Sequence, residues 1–196
     1  FECYKLVLNI GQTFWISNDE HRYVTRFSAG GVTADLAKIA PLTGDGAVQG
    51  DGFSLALPKG WHDYRPDAGG EEKKTIFLLD PDAIATSSVH SGPLDSLKEE
   101  ERASAKAWTE SAIKELTKAI KDVKLRGAGI EEVKVGDRTG VTIVADISEN
   151  GMKMTMYGVA VLTDTRAVNL RFKAPADKFE ELKPAFDAIV KSLKVE

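Results

Sequence analysis

The chain has 196 residues, of which 42% are hydrophobic and 29% charged, a composition typical of a globular protein and not of a disordered or fibrous one. Its 26 basic and 30 acidic residues give a net charge of -4, which argues against the clustered positive charge that nucleic-acid binding requires. No stretch reaches the roughly 18 apolar residues of a membrane-spanning helix, and the single cysteine, Cys3, excludes an intrachain disulfide.

The first 45 residues predict an antiparallel β-meander. Four short runs of β-forming residues are separated by Gly, Asn or Asp, which favour turns. The runs are residues 4–8, 13–17, 23–27 and 32–36. The glycine-rich stretch 41–52 predicts a linker or a long surface loop. We therefore expect two parts, an N-terminal β-meander segment at 1–45 and a domain at 52–196.

Three further strands are predicted in the first part of that domain. Residues 53–58 alternate polar and apolar side chains and stop at a Lys-Gly-Trp turn that ends with Trp61. The stretches 75–79 and 84–89 follow, and the Asp80-Pro81-Asp82 sequence between them favours a turn.

From Leu94 the apolar residues recur every three or four positions, which predicts the longest helix of the chain. The expected buried stripe is Leu97, Ala105, Trp108, Ala112, Leu116, Ala119, Ile120 and Val123. The sequence Arg126-Gly127-Ala128-Gly129 offers a basic last turn and glycines, so we expect the helix to end there.

The last third predicts a four-stranded meander and a closing helix. The strands are residues 130–135, 139–147, 152–162 and 167–173, and Asn150-Gly151 is a strong hairpin signal. The helix is expected to begin at Asp177, with Glu180 completing a capping box, and Pro184 kinks it or lies in its first turn. The predicted fold class is α+β, an antiparallel sheet sandwiched by two helices and preceded by the short β-meander.

The order of these elements resembles the PsbP/DcrB-like superfamily over about residues 52–196. The residues that carry the resemblance are Phe53-x-Leu55-x-Leu57-Pro58-x-Gly60-Trp61, Val135-Gly136-Asp137-Arg138-x-Gly140 and Phe186-x-x-Ile189-Val190-x-Ser192-Leu193. The resemblance implies an α/β/α sandwich and a non-catalytic accessory or binding role, often on the exported side of a membrane. It implies no functional residue, because the shared positions are core and turn residues. The first 45 residues lie outside it.

The histidines and neighbouring serines are the candidate catalytic or metal-binding groups of the sequence. His21, His62 and His90 lie in separate segments without paired spacing, which favours solvated loop histidines over a zinc site. The sequence of residues 87–92 places hydroxyls beside an imidazole, but a nucleophile-base pair normally joins residues that are distant in sequence. A polar loop leading into the long helix is the expected structure.

The alternating Met152, Met154 and Met156 project from one face of a strand, which would suit a soft copper site or packing beneath a helix. We expect packing.

Two acidic pairs, Asp80 with Asp82 and Asp19 with Glu20, lack the spacing of a calcium loop. Turn chemistry explains them, and we expect neither a metal nor a cofactor.

The function expected from the sequence is that of a non-catalytic accessory or binding domain of an exported bacterial protein, acting through protein-protein contact. Trp15, Trp61 and Tyr64 are the candidate docking residues, because aromatic side chains are enriched where partners bind. Core packing is the alternative for each of them, and for Trp61 it is the preferred one.

Two other functions stay open. One is a small-ligand or lipid carrier with an apolar pocket, and the other is a hydrolase built on His62 or His90 with nearby carboxylates. The chain begins with Phe1 and not Met, so we expect a preceding leader and a periplasmic or extracellular location.

Overall fold

The computed structural model describes residues 46–64, 75–82, 84–120, 122–149 and 151–196, together with the backbone of four strands in the first 45 residues. The described strands are β1 (Cys3–Leu8), β2 (Gln12–Ser17), β3 (Arg26–Ala29), β4 (Val32–Asp35), β5 (Ala47–Gly50), β6 (Phe53–Ala56), β7 (His62–Tyr64), β8 (Thr75–Leu79), β9 (Thr86–Pro93), β10 (Lys124–Val135), β11 (Arg138–Glu149), β12 (Met152–Leu162), β13 (Arg166–Pro175) and β14 (Lys194–Val195). The helices are α1 (Ala105–Ala119) and α2 (Phe179–Ser192).

The four predicted N-terminal strands are present, and their described backbone forms two antiparallel hairpins. Strand β1 pairs with β2, and β3 pairs with β4. The third strand is described from Arg26 to Ala29, and residues 23–25 of the predicted strand lie outside the described residues.

A seven-stranded antiparallel sheet is the centre of the described part of the chain. Its strand order is β10-β11-β12-β13-β9-β8-β7. The predicted four-stranded meander is confirmed as β10 to β13, and the pairing of β13 with β9 adds the three earlier strands to the same sheet.

The two helices lie on opposite faces of this sheet. Strand β12 buries successive side chains from Met154 to Tyr157 and therefore both of its faces, whereas β11 is buried at alternate positions. Helix α1 covers one face with Ile113 and Leu116, above Ile143 and Met156. Helix α2 covers the other face, where Phe186 packs on the sheet. The predicted α/β/α sandwich is therefore confirmed.

A small three-stranded sheet, in the order β14-β6-β5, shares the α2 side of the molecule. Its apolar side chains Val48, Phe53 and Leu55 belong to the same core cluster as those of α2. The stretch 41–52 was predicted to be a linker or loop, and this is wrong for its described part. Residues 47–50 form β5, and the turn to β6 uses Gly52, whose φ of 73° suits glycine.

The long helix is shorter than the sequence indicated. Two 3-10 turns precede it, and α1 begins where the Ser104 hydroxyl accepts a hydrogen bond from the Ala107 amide at 3.0 Å. Ala112 and Ala119 were expected in the buried stripe but are exposed, because Ile113 faces the sheet instead.

The predicted helix end at residues 126–129 is also wrong. These residues belong to β10, and the pairing register of β10 with β11 shifts between Leu125 and Ile130. Gly127 and Gly129 have φ values of 60° and 89°, so the glycines form an irregularity in a strand. The chain leaves α1 earlier, through Asp122, whose φ is 63°.

The closing helix also starts differently. The residue at its N-cap is Lys178, without a side-chain capping bond, so the capping box of Asp177 and Glu180 is not formed. Pro184 lies inside the helix, beyond its first turn.

Phe186 tests how much the fold depends on the core beneath α2. The side chain is fully buried and its ring lies 4.6 Å from the Phe172 ring centroid. Phe186→Ala leaves a cavity, so we expect the free energy of unfolding to fall by about 3–5 kcal/mol in urea denaturation. The exposed Lys191 of the same helix is the control. Lys191→Ala is expected to change the free energy of unfolding by less than about 0.5 kcal/mol. Equal effects of the two substitutions would contradict this core assignment.

Candidate binding surface

The three predicted docking aromatics have different positions. Trp61 is only 6% exposed, and its ring meets that of Phe186 edge to face, with centroids 6.0 Å apart. Its ring is therefore core, the alternative that the sequence favoured, and it offers no docking area. Trp15 lies in β2 and Tyr64 in β7, and their side chains are outside the described atoms, so their role stays a prediction.

The serine- and histidine-containing stretch is strand β9, and the predicted polar loop is wrong. Ser87 and Ser91 are buried on the α2 side, where the Ser91 hydroxyl donates to the Asp51 carbonyl at 2.6 Å. Ser88 and His90 alternate with them and lie on the other face, where His90 Nδ1 is 3.2 Å from Thr75 Oγ1.

The other two predicted histidine positions are less informative. His62 lies in β7, with its side chain outside the described atoms, and His21 lies outside the described residues altogether.

The methionines pack as predicted at two of three positions. Met154 and Met156 are buried in the cluster beneath α1, which confirms packing for both. Met152, at the start of β12, is 39% exposed and belongs to neither core cluster.

Asp80 has a structural role. Its carboxylate accepts hydrogen bonds from the backbone amides of Asp82, Ile84 and Ala85, as the predicted turn chemistry requires. Asp19 and Glu20 are outside the described residues. Across the part of the chain that the structure describes, no three His, Cys, Asp or Glu residues are placed to hold a metal ion.

A charged network connects the α2 side of the sheet to its helix. Arg126, which the sequence assigned to a helix end, donates from Nε to both carboxylate oxygens of Asp146, at 2.9 and 3.0 Å. Its Nη1 is 2.9 Å from Glu180 of α2, and its guanidinium lies over the Phe179 ring at 5.4 Å. The buried Thr155 hydroxyl donates to Asp146 at 2.8 Å. Hydrogen bonding from Arg126 holds the pKa of Asp146 below its usual value.

A second charged group lies one turn further along α2. Lys183 Nζ is 2.7 Å from Asp187 and 5.5 Å from the centroid of the Tyr157 ring. Burial, together with the nearby Asp187 carboxylate, raises the pKa of the Tyr157 hydroxyl. Tyr157 therefore stays neutral near physiological pH.

A small groove lies between these charges, α2 and strands β10 and β11. Its volume is about 190 Å³, below the roughly 300–1,000 Å³ of ordinary ligand pockets. The groove is lined by Arg126, Gly127, Gly129, Glu131, Thr142, Ile143, Val144, Phe179, Glu180 and Lys183. Four of these residues are charged, so the groove gives no support to the apolar carrier alternative.

Within the part of the chain that the structure describes, part of the α1 face of the sheet has accessible side chains. Helix α1 packs on β11 and β12, while buried and accessible positions alternate along β8, along β9 from Thr86 to Ser91, and along β13 from Val168. The accessible positions share the α1 side, because Lys173 is the register partner of Met156 and lies on the same face. We call them the open face: Thr75, Phe77, Leu79, Thr86, Ser88, His90, Asn169, Arg171 and Lys173.

The register of the strands arranges the open face in rows. Arg171 is opposite Ser88, which is opposite Phe77. Asn169, His90 and Thr75 form the neighbouring row. The face therefore combines an aromatic ring, hydroxyl groups and cationic side chains on one rigid sheet.

The sequence contained a signal for this surface in β13. From Ala167 to Lys173 apolar side chains occupy the even positions, and Asn169, Arg171 and Lys173 occupy odd ones. Such alternation is typical of a strand with one solvated face. The neighbouring β9 was predicted as a strand only over its first half, at 84–89, and its pairing with β13 was not predicted, so the three strands could not be combined.

Among the described residues, no helix has the length and apolar character needed to cross a membrane.

Comparisons with known proteins identify the fold. The chain matches the solution structure of cyanobacterial PsbP (CyanoP) from Synechocystis sp. PCC 6803, with a TM-score of 0.56 and 14% identity over 79% of this chain and 95% of that one. It also matches LpqN of Mycobacterium tuberculosis, a protein involved in cell envelope biogenesis, with a TM-score of 0.52 and 15% identity over 73% and 82%. Mog1 gives a TM-score of 0.50 and 10% identity over 74% and 90%.

These similarities show that the chain has the PsbP-like fold, as its sequence indicated. No protein-family model matches the sequence, and no curated protein matches it.

Asp146 gives a pH test of the charged network. Its pKa is lowered in the folded state, so its stabilising effect is complete above the unfolded value of about 3.9 and disappears as the pH falls through the folded value. Its side chain is 39% exposed, so we expect Asp146→Asn to cost only about 1 kcal/mol at neutral pH. Once the pH is below the folded-state pKa of Asp146, the wild type and the variant are expected to converge.

The free energy of unfolding is measured by urea denaturation at a series of pH values. Glu132→Gln, at an exposed position, is the control. A constant difference between Asp146→Asn and the wild type down to the lowest pH would contradict the role of the ionised carboxylate.

Proposed function

We propose that this chain is a non-catalytic binding domain that docks a protein partner on the open face. The observation that supports it is the row of accessible side chains that the described elements leave on the α1 side of β8, β9 and β13. Exposed surface on one side of an antiparallel sheet is ordinary when it is polar. Here it also carries the partly buried Phe77 and the exposed Arg171, and aromatic and arginine side chains dominate binding energy at interfaces.

The dimensions of the open face favour a narrow partner element. Three strands spaced by about 4.8 Å give a width of about 15 Å, and five residues of a strand span about 17 Å. A single helix, about 10 Å wide, or one extended segment fits this area. The standard interface of about 800 Å² per partner is larger, so residues bordering the face would complete the contact.

Tyr64 remains a candidate at the border. Its backbone in β7 is the register partner of Phe77 in β8, at the edge of the open face. The sequence-based proposal that Tyr64 contributes to docking is therefore retained for this surface, whereas Trp61 is removed from it.

A periplasmic or extracellular location is a further part of this proposal. The described role of LpqN in cell envelope biogenesis supports it, because LpqN has the same fold. Fractionation of cells that express the full-length gene tests the location, and recovery of the protein only from the cytoplasm would contradict it.

A photo-crosslinking amino acid placed on the open face tests the docking surface. With benzoylphenylalanine at Ser88, we expect a discrete adduct with one protein after irradiation in an extract of the native organism. Position 88 is accessible and lies between Phe77 and Arg171, so a docked partner would be within reach of the probe.

The matched control places the same probe at Glu132, an exposed position of β10 at the far edge of the sheet. No adduct is expected with the probe at position 132. When the captured partner is purified and mixed with each variant, we expect the variant with the probe at position 88 to form the adduct and the variant with the probe at position 132 not to form it. Adducts of equal yield at both positions, or none at position 88, would contradict the proposed surface.

A further inference from the structure

We infer that the element docking on the open face is an acidic protein segment, anchored by Arg171. This inference rests on the proposed function and adds the chemistry of the partner. It is carried by the charge of the open face and by the surroundings of Arg171.

The open face is cationic on an acidic protein. Its charged side chains are Arg171 and Lys173, and none of its residues is Asp or Glu. The whole chain carries a net charge of -4, so the composition alone predicts more acids than bases on any surface. Segregation of one charge sign on a face attracts partners of the opposite sign and accelerates their association.

Arg171 differs from the other arginines whose contacts the structure describes. Arg126 binds the carboxylates of Asp146 and Glu180, Arg166 binds Asp51, and Arg102 donates to two backbone carbonyls. Arg171 is exposed and, within the described part of the chain, has no ion pair or hydrogen bond. Its planar guanidinium therefore keeps its donors for an external acceptor, and a carboxylate can accept two of them.

The neighbours of Arg171 leave room for such an acceptor. Its register partners are Ser88 on one side and Gly158 on the other, both small. The Ser88 hydroxyl and the Asn169 amide supply further hydrogen-bond donors on the same face. Phe77, beyond Ser88, offers an apolar contact next to the charged one, which suits a segment of mixed acidic and apolar residues.

A protein segment fits this face better than nucleic acid does. Nucleic-acid binding depends on many phosphate contacts along a basic stripe, whereas the open face carries few cations around one aromatic ring. A short run of Asp and Glu needs only one or two charge-assisted hydrogen bonds to be positioned.

The test uses the full chain and a fluorescent peptide of alternating Glu and Ser residues, with binding followed by fluorescence anisotropy. We expect the peptide to bind and a matched peptide with Gln in place of each Glu not to bind. Arg171→Gln is expected to weaken binding about tenfold, the effect of losing one charge-assisted contact. Arg171→Lys keeps the charge without the bidentate geometry and is expected to be intermediate.

Lys191→Gln is the matched control, because it removes one exposed positive charge from α2, on the opposite side of the sheet. It is expected to leave the affinity unchanged. Raising the salt concentration is expected to weaken binding of the wild type. Equal binding of the Glu and Gln peptides, an unaffected Arg171→Gln variant, or tighter binding of single-stranded DNA than of the Glu peptide would overturn the inference.

The two experiments distinguish failure of the acidic-partner inference from failure of the docking surface. A partner captured at Ser88 together with a negative peptide result would overturn the acidic chemistry and leave the docking surface standing. Failure of both experiments would overturn the docking surface itself.

Discussion

The width of the central sheet relative to one helix determines the surface of this domain. Seven strands spaced by about 4.8 Å extend over about 30 Å, whereas a helix is about 10 Å wide. On one side, α2 shares the task with the small sheet of β5, β6 and β14, and a continuous core results. On the other side α1 covers β11 and β12, and among the described residues the side chains of β8, β9 and β13 on this face stay partly or fully accessible. The proposed binding surface follows from this unequal coverage.

The charged side chains follow the same division. On the α2 side, Arg126 lies near the sheet-helix boundary and is neutralised by Asp146 and Glu180, because a partly buried cation requires partners. On the open face, Arg171 remains hydrated and pays no desolvation cost until a ligand arrives. The same residue type thus stabilises the fold at one position and is available for recognition at the other.

Local signals predicted much of this fold, and long-range pairing limited the rest. The Asn150-Gly151 hairpin and the alternation in β13 depend on neighbouring residues, so the C-terminal meander was predicted correctly. Strand β9 contains Ser, His and Gly, which have little β-preference, and its position depends on pairing with β13 and β8. The first half of β9 was predicted as a strand at 84–89, but its pairing with β13 joins segments that are distant in sequence and leaves no local signal, so the open face was not predicted. Arg126 was placed at a helix end because a basic residue before glycines is also a helix C-terminus signal.

The most direct measurement compares thiol labelling of Ser88→Cys and Ser87→Cys, each in a Cys3→Ser background. The two positions are adjacent in β9 but face opposite sides of the sheet, and Ser87 is only 1% exposed. The account predicts that a maleimide labels position 88 rapidly in the purified protein and slowly once the partner is bound, while position 87 is labelled slowly in both states. Equal rates at the two positions, or a rate at position 88 that the bound partner does not change, would contradict it.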